Sequence, residues 1–199
     1  MESNYLVVAL GEIINEGYEI EKIEDAFKKF SCHREEDLEN FLVTKAVLYE
    51  KTDYGKTYLC IDKEKLEKGE FVILAYFTLA QRSVDISELP NKRKRKILGN
   101  YPGRDNIKSI PAFLIGQLGR SDDCPKEILS GQQLLNECYH AISLAARIVG
   151  GKLIILECRE HMYSKFYEKQ GFLKLYKDLN EENLYTLYKK IDFREYWNT

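Results

Sequence analysis

The sequence predicts a single α/β domain in which a mixed, mostly antiparallel sheet carries helices. Three observations point to it. Two β-branched and aromatic runs, 57–61 and 71–80, are separated by a charged turn as an antiparallel hairpin would be. A strand, long helix, strand succession over 109–158 demands a crossover between nearly parallel strands. A final pair of apolar runs, 172–176 and 184–191, brackets the polar turn 178–182.

The elements follow in order. Residues 1–30 form an N-terminal arm and helix. Within it 5–10 fits either helix or strand and stays unassigned, because Gly11 and Gly17 break the pattern. From 21 to 30, Ile23, Ala26, Phe27 and Phe30 recur at helical spacing; a second helix, with Leu38, Phe41, Leu42, Ala46 and Leu48, begins at the acidic Glu35-Glu36-Asp37. After the hairpin, 85–108 holds Pro90, the cationic run Lys92-Arg93-Lys94-Arg95-Lys96 and Pro102-Gly103. It reads as a basic insertion with a short helix, outside the core.

Residues 109–118 form a strand, and 119–130 a polar connection. The helix that follows has the stripe Leu134, Leu135, Cys138, Ala141, Ile142, Ala145 and Val149, and Gly150-Gly151 stops it. Residues 152–158 form a buried strand, and 162–169 a short helix closed by Gly171.

Composition excludes several classes. The 199 residues, 44% hydrophobic and 31% charged, are enough for one sizeable core and too apolar for a disordered chain. A net charge of -2 means that any nucleic-acid contact must be local. Apolar runs of about half a dozen residues fall far short of the ~20 a membrane span needs. Glu2 stands where a signal peptide would carry a cation, and the five cysteines are odd in number and never paired as C-x-x-C. The chain therefore reads as cytoplasmic, with reduced thiols and no metal site.

The chemistry concentrates in three stretches. One is Ile110-Pro111-Ala112-Phe113-Leu114-Ile115-Gly116-Gln117-Leu118-Gly119-Arg120. The second is 126–135, containing Lys126-x-x-Leu129-x-Gly131, and the third is Phe166-Tyr167-Glu168-Lys169-Gln170-Gly171-Phe172. With the element order, they resemble the GNAT family of acetyl-coenzyme A dependent N-acetyltransferases over 37–191. The likeness is strongest to its branch of tRNA-acetylating toxins, where a strand like "IPA-x-LIG-RLAVD" precedes the cofactor loop and "FYEK-x-GF" comes after it. It implies a six- to seven-stranded sheet with helices on both faces, split at the centre where the cofactor enters.

The resemblance also implies a site. The backbone of Leu118, Gly119 and Arg120 would bond pantetheine as an added strand. Lys126, Leu129, Ser130, Gly131 and Gln132, at a helix start, would take the pyrophosphate on unpaired N–H groups. Leu129 stands where the family has glycine; if that position demanded positive φ, its Cβ would cost about 1 kcal/mol. Asp122 and Asp123 add nearby negative charge, and Gln117 replaces the family's arginine.

Tyr167 matches the family's general acid, giving a proton to the departing thiolate. Packed tyrosine is the alternative, since the chain has fourteen. Glu157, at a strand end, is the candidate base, the alternative being a solvated or paired carboxylate with a cation such as Arg159. His33, His140 and His161 are isolated, and Cys124 and Cys158 lack a neighbouring His, so neither set is assigned chemistry.

The implied reaction is direct transfer of acetyl to a primary amine in a ternary complex. An aminoacyl-tRNA acceptor would be held by Lys92, Arg93, Lys94, Arg95 and Lys96; a solvated helix face is the alternative for that run. Two rival functions stay open, a non-catalytic GNAT-fold module binding RNA or protein and an acetyltransferase for small or protein amines. A homodimer is compatible with all of them.

Overall fold

A computed structural model describes residues 4–196; residues 1–3 and 197–199, and with them the reading at Glu2, lie outside the described residues. The strands are β1 (Tyr5–Ala9), β2 (Lys56–Asp62), β3 (Ile73–Asp85), β4 (Ser109–Arg120), β5 (Leu153–Cys158), β6 (Leu173–Lys174) and β7 (Tyr185–Lys190). They form one sheet in the order β1-β2-β3-β4-β5-β7-β6. The pairs β1–β2, β2–β3, β5–β7 and β6–β7 are antiparallel. The helices are α1 (Leu10–Asn15), α2 (Ile20–Lys29), α3 (Glu36–Thr44), α4 (Ala46–Lys51), α5 (Lys63–Glu67), α6 (Asn91–Leu98), α7 (Gly131–Val149) and α8 (Glu160–Met162). None is long and apolar enough to cross a membrane.

The chain divides into two compact units. The first comprises 1–80 and 115–141. Its core gathers Leu10, Phe27, Leu42, Ala46, Leu59 and Tyr76, all without solvent exposure. α2 forms because Ile23, Ala26 and Phe27 fall on one face, with Glu21 in its first turn and Lys28 and Lys29 in its last to complement the helix dipole. The second expected helix divides at Lys45, whose φ of -122° leaves the helical region and separates α3 from α4. The hairpin forms as expected. Its turn is α5, capped by Asp62, whose side chain accepts from the Lys65 N–H at 2.9 Å. The unassigned arm is a strand followed at once by a helix, β1 then α1.

The second unit comprises 81–114 and 142–199. Its core contains Ile86, Leu89, Ile97, Leu98, Leu153, Ile155, Leu175 and Tyr188. The segment 85–108 does hold the expected short helix, α6, but it lies partly inside the core rather than outside it. Ile86, Leu89, Ile97 and Leu98, dispersed among charged residues, supply the face that packs. The long helix also departs from its expected stripe. Ala146, not Ala145, is buried, and Val149 is 64% exposed, so the stripe ends one turn early. Gly150 and Gly151 stop α7 at φ +76° and +110°, and a Cβ at Gly151 would lie 2.8 Å from the Phe113 ring.

Candidate functional site

In the first unit, β4 runs out at Leu118, Gly119 and Arg120. Gly119 has no positive φ; it is glycine because the Tyr76 ring lies over it, where a Cβ would come 3.0 Å from Tyr76 Cε1 and 3.2 Å from Leu38 Cδ1. That ring is pinned. Its hydroxyl donates to the Leu38 carbonyl at 2.7 Å, and Phe30 meets it edge-on with centroids 5.3 Å apart. The Arg120 side chain turns back, donating from Nη1 to the Cys124 carbonyl at 2.8 Å.

The following loop is held by its acids. Asp122 Oδ2 accepts from the His33 N–H at 2.8 Å, and the Asp122 N–H donates to the Ser31 carbonyl at 2.7 Å. Ser31 Oγ reaches Asp123 Oδ2 at 3.4 Å. The two carboxylates that looked like excess charge beside a phosphate loop are thus directed at 31–33.

Leu129 resolves differently from a misplaced glycine. Among the described residues only Asp53 and Asn183 have positive φ outside glycine, so Leu129 carries no backbone strain. Its side chain is fully buried, and its N–H donates to the Pro125 carbonyl at 3.2 Å. Ser130 then caps α7: its Oγ accepts from the Gln133 N–H at 3.2 Å while Gln133 Oε1 accepts from the Ser130 N–H at 2.8 Å. The Ser130-x-x-Gln133 spacing is itself a capping-box signal in the sequence. With Leu134 N–H bonded to the Ser130 carbonyl, the N–H groups of Gly131 and Gln132 take no acceptor among the described residues. They present two donors and the positive end of a 19-residue helix dipole, the donor chemistry a pyrophosphate requires. Lys126 stands exposed in the same loop.

In the second unit, Tyr167 ends a π-helical turn, Tyr163–Tyr167, a wide-turn geometry often found at functional positions. It is 7% exposed and meets Phe166 and Phe172 edge-on, with centroids 5.0 and 5.6 Å away. Its carbonyl accepts from the Gln170 and Phe172 N–H groups, and Gly171 closes the turn at φ +79°.

Glu157 is 22% exposed and does pair with a cation, but with Arg82 rather than the neighbouring Arg159: Arg82 Nη1 lies 3.2 Å from Glu157 Oε1. Asn180 Nδ2 donates to the same oxygen at 3.2 Å and Thr186 Oγ1 at 3.5 Å. These side chains line a cavity of about 440 Å³. Arg82 and Asn180 had no sequence signal, being 75 and 23 residues away.

The cationic run is not five equivalent charges. Lys94 is only 6% exposed, and Arg93 Nη1 donates to the Leu175 carbonyl at 2.9 Å. Lys92, Arg95 and Lys96 face solvent. All five cysteines are buried and unbridged. Burial raises the Cys32, Cys60, Cys124 and Cys138 thiols above their ordinary range, so these four are poor nucleophiles.

No family model and no curated protein matches the chain. Solved structures do. AtaT complexed with acetyl-methionyl-tRNAfMet is 23% identical over 87% of this chain and 92% of that one, with a TM-score of 0.64. AtaTR bound with acetyl-coenzyme A gives 19%, 98% of this chain, 99% of that one and 0.63. A Tyr-to-Phe mutant of KacT gives 18%, 92%, 94% and 0.65. The chain shares the fold of AtaT and KacT. That fold is the GNAT fold the sequence resemblance implied, with seven strands and mostly antiparallel pairing.

Proposed function

We propose that the chain transfers acetyl from acetyl-coenzyme A to a primary amine by direct attack in a ternary complex, the acceptor being the amino group of an aminoacyl-tRNA. One observation carries this reading: the chain has the fold of AtaT over most of its length, and AtaT has been solved with acetyl-methionyl-tRNAfMet and, as a Tyr-to-Phe mutant bound to the C-terminus of AtaR, with acetyl-coenzyme A.

The roles follow from the local chemistry. Acetyl-coenzyme A supplies an activated acyl group. The backbone of Leu118, Gly119 and Arg120 bonds the pantetheine amides. The Gly131 and Gln132 N–H groups, presented by the Ser130 cap and assisted by Lys126, take the pyrophosphate. Leu129 serves this loop by anchoring it in the core, its N–H being spent on Pro125. The neutral amine attacks the thioester carbonyl; Glu157 receives the proton the nitrogen loses, and Tyr167 Oη gives one to the sulfur as the carbon–sulfur bond breaks. Proton exchange with water resets both groups. Lys92, Arg95 and Lys96 bind RNA phosphates without reading sequence, while Arg93 and Lys94 belong to packing.

The test is calorimetric titration with acetyl-coenzyme A, followed by transfer of radiolabelled acetyl to total aminoacyl-tRNA. The expected results are a single site, labelled tRNA, and a loss of roughly 10²–10⁴-fold in kcat for Tyr167→Phe with cofactor affinity unchanged. Full turnover by Tyr167→Phe removes the acid assignment. No binding at millimolar cofactor removes the enzyme reading in favour of a binding module. Labelling of small or protein amines but not tRNA reassigns the acceptor.

A further inference from the structure

Glu157 is held in an asymmetric way. Arg82, Asn180 and Thr186 all address Oε1, at 3.2, 3.2 and 3.5 Å, while Oε2 accepts no hydrogen bond from any described residue. A carboxylate oxygen has room for two donors. A largely buried carboxylate whose protein donors crowd one oxygen, beside a cavity of about 440 Å³, leaves the other for whatever enters.

Asn180 makes this arrangement rigid. Its Oδ1 accepts from the Glu182 and Leu184 N–H groups at 3.0 and 2.9 Å. Its own N–H donates to the Leu184 carbonyl at 2.9 Å, and its carbonyl accepts from the Asn183 N–H at 3.0 Å. Asn183 sits at φ +60°, the left-handed conformation asparagine tolerates, which lets the turn close. Flipping the Asn180 amide would set its NH₂ against two N–H donors, so the network fixes Nδ2 toward Glu157. Glu157 and Thr186 are direct partners across β5 and β7. The carboxylate is therefore held from a strand neighbour, from β3 through Arg82, and from the turn through Asn180.

We infer that Asn180 is a positioning residue that ties up Oε1 of Glu157, so that the acceptor's amine N–H meets Oε2 alone. The inference rests on Glu157 taking the acceptor's proton. The ionisable groups that line the cavity with that carboxylate are Arg82 from β3, Tyr176 after β6, and Asp178, Glu181 and Glu182 from the turn. Arg82 is the cation among them, and Asn180 is an uncharged donor on the same oxygen. Replacing that donor by an anion sets like charge against the Glu157 carboxylate.

Asn180→Asp tests this directly. It keeps the oxygen that organises the turn and sets a carboxylate oxygen where Nδ2 stood. In acetyl transfer to aminoacyl-tRNA, the acid limb of kcat should move up by about one pH unit, with the acetyl-coenzyme A Kd unchanged. Asn180→Ser, which withdraws the donor without adding charge, should move it less in the same direction. If Glu157→Gln is inactive with cofactor binding intact while both Asn180 variants keep the wild-type acid limb, the positioning role is overturned and the base reading stands. If Glu157→Gln turns over at the wild-type rate, the base reading fails and the inference with it.

Discussion

Gly119→Ala is the substitution for which the structure gives the clearest magnitude. The added Cβ would lie 3.0 Å from Tyr76 Cε1, 3.2 Å from Leu38 Cδ1 and 3.5 Å from Phe30 Cζ, so the neighbours must give by several tenths of an ångström. They have little freedom to do so. Tyr76 is fully buried, edge-on to Phe30, stacked on Phe41 at 6.4 Å, and tied through its hydroxyl to the Leu38 carbonyl. Overpacking a site that cannot relax costs about 1–3 kcal/mol. At roughly 2–4 °C per kcal/mol for a chain of this size, the unfolding midpoint should fall by about 5 °C. Any relief comes from moving β4 outward, which displaces the backbone at 118–120, so acetyl-coenzyme A affinity should fall as well. Gly116→Ala is the comparator, since its Cβ meets one atom, Thr78 Oγ1, at 3.0 Å; its loss should be smaller. Thermal unfolding and calorimetric titration read both effects. An unchanged midpoint for Gly119→Ala would refute the claim that Tyr76 dictates this glycine.

Two further predictions concern charge. Replacing Lys92, Arg95 and Lys96 by alanine should weaken tRNA binding and flatten its salt dependence by about 0.9 in slope for each phosphate left without its cation, without moving the unfolding midpoint. Arg93→Ala should instead lower the midpoint, because it removes the bond to the Leu175 carbonyl. Burial, reinforced by the charge of Asp122, raises the Cys32 thiol from 9.0 to about 11. The native state thus holds this proton more tightly than the unfolded chain, so its contribution is complete below pH 9 and is lost as pH rises toward 11. Urea midpoints between pH 8 and 10.5 should decline, and Cys32→Ala should decline less; equal slopes would remove Cys32 from the alkaline transition.

What could be read from the sequence was what its own neighbours dictate. α2, the hairpin and the β4–α7–β5 succession carry their period in consecutive residues and need no distant partner to be recognised. β1 did not, because Tyr5–Ala9 is extended by pairing with β2, Tyr5 opposite Asp62 and Ala9 opposite Tyr58, far away along the chain. The same holds for side chains. Lys94 and Arg93 read as members of a solvated run, and only the burial of Lys94 and the bond from Arg93 to the Leu175 carbonyl separate them from Lys92, Arg95 and Lys96. Glu157 was legible as a strand-end carboxylate, but its partners come from β3 and from the 178–184 turn, which no local pattern connects.

Leu129 shows how a motif can mislead when its residue is weighed without its backbone. Against a pattern with glycine, its Cβ suggests strain and a crowded phosphate. Yet the residue has no positive φ, its side chain has no solvent exposure, and its N–H is already bonded to Pro125. It therefore acts as the apolar anchor that brings a loop of exposed acids and cations back to the core one residue before the Ser130 cap. Anion-binding capacity then depends on the first residues of α7 itself. Because Gln133 and Ser130 satisfy each other, and Leu134 is bonded to the Ser130 carbonyl, the donors left over are those of Gly131 and Gln132. A Cβ at position 129 is compatible with a phosphate site there, and the departure from the family pattern is no argument against one.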